Sequence, residues 1–90
     1  MDIVVIGSGG VAESLVFSLT QAEVTPRVIV SPTLGHAERL RDLYVPECTI
    51  LHDLAEMPRN ADIYLLAVTD TAIASCVAQM PSTSGVWLHT

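Results

Sequence analysis

Ninety residues are enough for one small domain, and a composition of 50% hydrophobic and 16% charged residues belongs to a core-forming globular chain rather than a disordered one. Ten acidic residues against four arginines and no lysine give a net charge of −6, which argues against nucleic acid and anionic membranes as partners and removes a P-loop or a Schiff base from consideration. No apolar run approaches the roughly 18–20 residues of a membrane span and no basic segment precedes the first apolar run, so a cytoplasmic protein is expected.

The chain opens on Ile3, Val4, Val5 and Ile6, an apolar run that leads directly into Gly7-Ser8-Gly9-Gly10-Val11-Ala12. This fits G-x-G-x-x-G/A and reads as strand, tight turn and helix. Gly7 lets the backbone turn, Gly9 lets a pyrophosphate approach the main chain, and the small Ala12 lets the helix lie close on the strand. The helix N-terminus then offers unpaired N–H groups to an anion. Val11, Ala12, Leu15, Val16 and Leu19 continue at helical spacing to about residue 21.

Residues 27–30 form a short strand ended by Ser31-Pro32-Thr33, with Thr33 placed to cap the next helix. Leu34, Ala37, Leu40 and Tyr44 mark that helix, which closes before Pro46. Residues 49–51 read as a third strand, and residues 53–60 leave room for only one or two helical turns. The unbroken apolar run 63–68 has the character of a central parallel strand buried on both faces. Another helix starts at Thr69-Asp70 and ends at Pro81; Val86, Trp87 and Leu88 form the last strand. The expected architecture is α/β and Rossmann-like: an open parallel sheet of five strands in the order 3-2-1-4-5, with helices on both faces.

Ligands in such sheets bind beyond the carboxyl ends of the strands, where the strand order reverses. The segments converging there are Gly7, Ser8, Gly9, Gly10, Val11 and Ala12 of the glycine loop, Ser31 and Thr33 of the second turn, and Val68, Thr69 and Asp70 of the fourth. A NAD site places an acid at the end of the second strand to hold the ribose hydroxyls; Ser31 stands there instead, which favours NADP over NAD. Plain turn and cap roles for Ser31 and Thr33 remain open, as does helix capping for Asp70. Glu13, in the first helical turn, competes with a phosphate unless it points sideways. His36 and His52 read as solvated or core-edge residues, and Cys48 and Cys76 as small buried thiols. His89 is a candidate for a cofactor or substrate contact. Cys48 and His52 lack the second ligand pair that zinc needs, and no catalytic acid/base pair or nucleophile stands out.

With these residues placed, the chain resembles the N-terminal domain of the pyrroline-5-carboxylate reductase and deazaflavin-dependent NADP reductase superfamily. Within it the resemblance is to Rossmann-like proteins that carry a helical C-terminal domain of unknown function. The stretches that carry it are IVVIGSGGVAESL at 3–15, VIVSPT at 28–33, ADIYLLAVTDTAI at 61–73 and VWLHT at 86–90. The resemblance implies a dinucleotide-binding domain, residues 1–90, truncated before a helical domain that builds the substrate pocket and a dimer. It also implies a phosphate-binding arginine directly after the residue that ends strand two. This chain has Pro32 there, and Arg39, two turns into the next helix, is a poor substitute.

Three functions stay in play: the cofactor-binding part of an NADP-dependent oxidoreductase, a non-catalytic dinucleotide-binding or sensor module, and an assembly domain with an empty cleft. A methyltransferase fits less well, because its glycine loop works with an acid at the end of strand two. Homo-oligomerisation through the last strand or its adjoining helix is expected, because a bare apolar sheet edge recruits partners.

Overall fold

The computed structural model describes residues 2–7, 9–31, 35–67 and 85–89. The glycine-loop Ser8, the turn residues Pro32 and Thr33, the segment Val68, Thr69 and Asp70 and the helix expected after it lie outside the described residues.

The sheet is built from β1 (Ile3–Ile6), β2 (Val28–Val30), β3 (Thr49–Leu51), β4 (Ile63–Leu66) and β5 (Val86–His89). Their order is β3-β2-β1-β4-β5, and every pairing is parallel. The order β3-β2-β1-β4 about the reversal matches the sequence reading, and β5 pairs with β4 from Ile63 opposite Val86 to Leu66 opposite His89. Strand edges move by a residue or more: β2 begins at Val28 rather than Arg27, and β4 ends at Leu66 rather than Val68.

Two helices are described, α1 (Gly10–Gln21) and α2 (His36–Tyr44). A parallel strand points successive side chains to opposite faces, and both faces here are apolar. Ile3 and Val5 of β1, with Ile29 and Leu65 from its neighbours, meet Ala12 and Val16 of α1 and Ala37 and Leu40 of α2. Val4 and Ile6 face the other way, with Val28, Val30, Tyr64 and Leu66, and are joined by Met57 and Ala61. Both described helices therefore cover one face. The connection across the other includes a single 3-10 turn at Leu54–Glu56, the short crossover anticipated for 53–60.

Local chemistry explains the ends. α1 closes in a Schellman arrangement, with the Val24 N–H donating to Leu19 O at 2.8 Å and the Glu23 N–H to Thr20 O at 3.0 Å. Glu23 takes the left-handed conformation, φ 62°, that this motif requires and glycine usually supplies. α2 starts later than expected. Its N-cap is Gly35 rather than Thr33, because the Glu38 carboxylate reaches back to the Gly35 N–H at 2.8 Å and closes the first turn from within.

Behind β4, the fully buried Tyr64 hydroxyl donates to Pro58 O at 2.6 Å and accepts from the Ala61 N–H at 3.1 Å, pinning the crossover against the sheet. Next to it Gly85 enters β5 at a close approach: a Cβ there would land on the Ala61 carbonyl oxygen and lie 2.8 Å from that of Asp62 and 2.9 Å from Tyr64 Cε2.

Candidate functional site

Parallel register brings the carboxyl ends of the central strands to one edge. Ile6 lies opposite Val30 on one side and Leu66 on the other. The first residue past each strand continues the ladder: the Gly7 N–H donates to Val30 O, the Ala67 N–H to Ile6 O and the Ser31 N–H to Leu51 O, at 2.8, 2.8 and 2.9 Å. His89 reaches the same edge, opposite Leu66. The order reverses between β1's two neighbours, so this edge is the crevice where open α/β sheets bind ligands.

The glycine loop leaves β1 as its spacing predicts. Gly7 has φ 121°, a conformation that a side chain disfavours, and turns the chain toward α1. Gly9 is the N-cap of α1, and the Glu13 N–H donates to its carbonyl at 2.9 Å. At Gly9 the φ is an ordinary −79°, and at both Gly9 and Gly10 an added Cβ would meet nothing within 4 Å. Among the described residues, neither packing nor backbone strain asks for glycine at these two positions. Their bareness matters only to something approaching from outside, over the open N–H groups of a helix N-terminus. Ala12, one turn in, is fully buried against the sheet, as close packing of helix on strand requires, while Val11 stays 52% exposed at the rim.

A cleft of about 160 Å³ opens beside this loop, lined by Gly9, Gly10 and Glu13 of the first segment and by His36, Arg39 and Leu40 of α2. His36 therefore has a place in the candidate site that its sequence context did not suggest. Arg39 is also nearer than expected. Because α2 starts at His36, this arginine sits one turn into the helix instead of two. Glu13 turns toward α2, where its Oε1 accepts from the Tyr44 hydroxyl at 3.3 Å, so its carboxylate is engaged sideways.

Ser31 ends β2 as expected, yet it is only 2% accessible and does not line the cleft. Its carbonyl oxygen is 2.9 Å from His52 Nδ1, and His52 Nε2 lies 2.9 Å from Glu38 Oε1. The sequence reading left His52 without a partner. Its role depends on bringing β3's exit beside α2, a contact 14 residues apart in sequence that no local spacing announces. The Glu38 carboxyl is held below its ordinary range by backbone N–H groups, its own and that of Gly35, with the His52 ring adding a smaller effect.

Cys48 is buried and unreactive in character, its thiol pushed up to about 11 by desolvation. Among the described residues no group of three or more His, Cys, Asp or Glu side chains is placed to hold a metal. Nor is any described helix long and apolar enough to cross a membrane.

Comparison with known proteins agrees with this geometry. Residues 2–87 match the family model described as NADP oxidoreductase, coenzyme F420-dependent. Among solved structures, the chain resembles one from Bacteroides fragilis provisionally designated an NADP oxidoreductase, with a TM-score of 0.87 and 26% identity, over 99% of this chain and 35% of that one. This chain thus spans about a third of that protein's length. A comparison with curated proteins finds no match.

Proposed function

Because the chain belongs to the coenzyme F420-dependent NADP oxidoreductase family, we propose that it is the cofactor-binding domain of an NADP(H)-dependent oxidoreductase. The pyrophosphate would lie over Gly9 and Gly10 at the start of α1, with the adenosine side toward the β2–α2 turn. The observation that carries this reading is the open approach to Gly9 and Gly10, two glycines that packing among the described residues does not need. Bound there, the nicotinamide supplies the hydride chemistry; this chain's residues bind and orient the cofactor.

NADP is preferred to NAD in this reading, since no carboxylate ends β2 to hold a free 2′-hydroxyl. Coenzyme F420, named in the family description, is the candidate hydride partner for a whole enzyme, and no described residue is assigned to it. The same reading places the domain in the cytoplasm, with a net charge of −6 that disfavours nucleic acid.

Titrating the protein with NADPH and following the quenching of tryptophan emission or the heat of binding tests the proposal. Saturable NADPH binding by the wild type, lost in Gly9→Val, supports it. No binding of either NADPH or NADH, or equal binding by Gly9→Val, overturns it.

A further inference from the structure

The cationic side of the cleft carries one step more, resting on the proposed NADP(H) binding. We propose that Arg39, with His36 beside it, is the group that recognises the 2′-phosphate of the adenosine ribose, in place of an arginine at the end of β2.

The argument begins with the four arginines. Arg27 pairs with Asp2 at 3.1 Å and Arg41 with Asp42 at 3.2 Å, and Arg59 is also engaged. The Arg39 guanidinium alone has no ion pair or hydrogen bond among the described residues, and Arg39 lines the cleft beside Gly9 and Gly10. In a chain of net charge −6, this exposed guanidinium has no carboxylate partner among the described residues, and it shares a cleft with the glycine loop.

Two nearby carboxylates among the described residues are occupied elsewhere. Glu13, across the cleft, accepts from the Tyr44 hydroxyl, and Glu38, adjacent in α2, is held by Gly35 N–H and His52. The cleft lies between α1 and α2, on the β2 side of the glycine loop, which is the adenosine half of a dinucleotide site. A 2′-phosphate there would meet the planar fork of Arg39, which suits phosphate oxygens, with the His36 imidazole on the same wall. Ser31, 2% accessible and already bonded, leaves that task to α2.

Arg39→Ala tests the assignment through the ratio of two affinities. Wild-type protein and variant are titrated with NADPH, NADH and 2′,5′-ADP. The expected result is a loss of NADPH and 2′,5′-ADP affinity of between about tenfold and a hundredfold, the range for a charge-assisted hydrogen bond, with NADH affinity within about twofold of wild type. Retained NADH binding also shows that the variant is folded. Unchanged NADPH affinity in Arg39→Ala, or equal loss for NADPH and NADH, overturns the assignment while leaving the cofactor proposal in place. Failure of the wild type to bind either nucleotide removes the cofactor proposal itself.

Discussion

His52 joins two elements that are separate in sequence: its Nε2 lies 2.9 Å from Glu38 Oε1 on α2, while its Nδ1 lies 2.9 Å from the carbonyl oxygen of Ser31 at the end of β2. With an acceptor facing each ring nitrogen, both contacts are donated only by the doubly protonated ring. Because Glu38 also accepts from Gly35 N–H, His52 and Glu38 link Ser31 at the end of β2 to Gly35 at the start of α2. The wall that carries His36 and Arg39 is positioned by this connection.

One prediction follows from Glu38. Its folded carboxyl is held below the ordinary value of 4.5, so its contribution to stability is complete above that value and is lost as pH falls through the lower folded value. Thermal unfolding of wild type and Glu38→Gln, measured across acidic pH, should show the wild type more stable above pH 4.5 and the gap closing below it. A gap that stays constant through the acid range contradicts this role.

At Gly85 the atoms that a Cβ would meet are mainly backbone carbonyls, which cannot swing aside as a side chain can. Gly85→Ala should therefore destabilise by at least the ~1–3 kcal/mol typical of overpacking, read as a lower midpoint in urea. A midpoint equal to wild type would show that β5 enters the sheet less tightly than described.

Tyr64→Phe keeps the ring but removes the hydroxyl that serves both Pro58 O and Ala61 N–H. Stability should fall by about 1–3 kcal/mol, the range for buried polar groups left without partners. Hydrogen exchange at the Ala61 amide should speed up while the β1 amides stay protected. Uniform acceleration across the sheet would instead point to a general loss of packing.

Val86 and Leu88 are 60% and 48% exposed on β5, whose described pairing is to β4 alone. Apolar side chains on a sheet edge favour association. Light scattering at rising concentration should show self-association that Val86→Lys with Leu88→Lys abolishes. A wild type that stays monomeric throughout refutes the expectation.

The backbone of this account was legible in the sequence where the signal is local. Continuous apolar runs mark strands buried on both faces, and the glycine spacing marks the turn into α1; the structure has Ile3–Ile6, Gly7 and Gly10–Gln21 where those signals place them. What depends on tertiary contact was not legible. The start of α2 moved from Thr33 to Gly35 because Glu38 supplies the closing acceptor from within the helix. Arg39 lines the cleft across from the glycine loop, which lies far from it in sequence, and His52 meets Glu38 only because β3 lies beside β2. Ser31 occupied its expected place in the chain, but its burial follows from packing around the strand end, which spacing does not reveal.

The central claim is that a dinucleotide lies over the start of α1, and amide chemical shifts measured during titration with NADP test it residue by residue. The account predicts the largest saturable shifts at Gly9, Gly10 and Val11, smaller ones at His36 and Arg39, and little change at Ile50 and Leu51 of β3. Shifts confined to other parts of the surface, or none at NADP concentrations that saturate related domains, would contradict it.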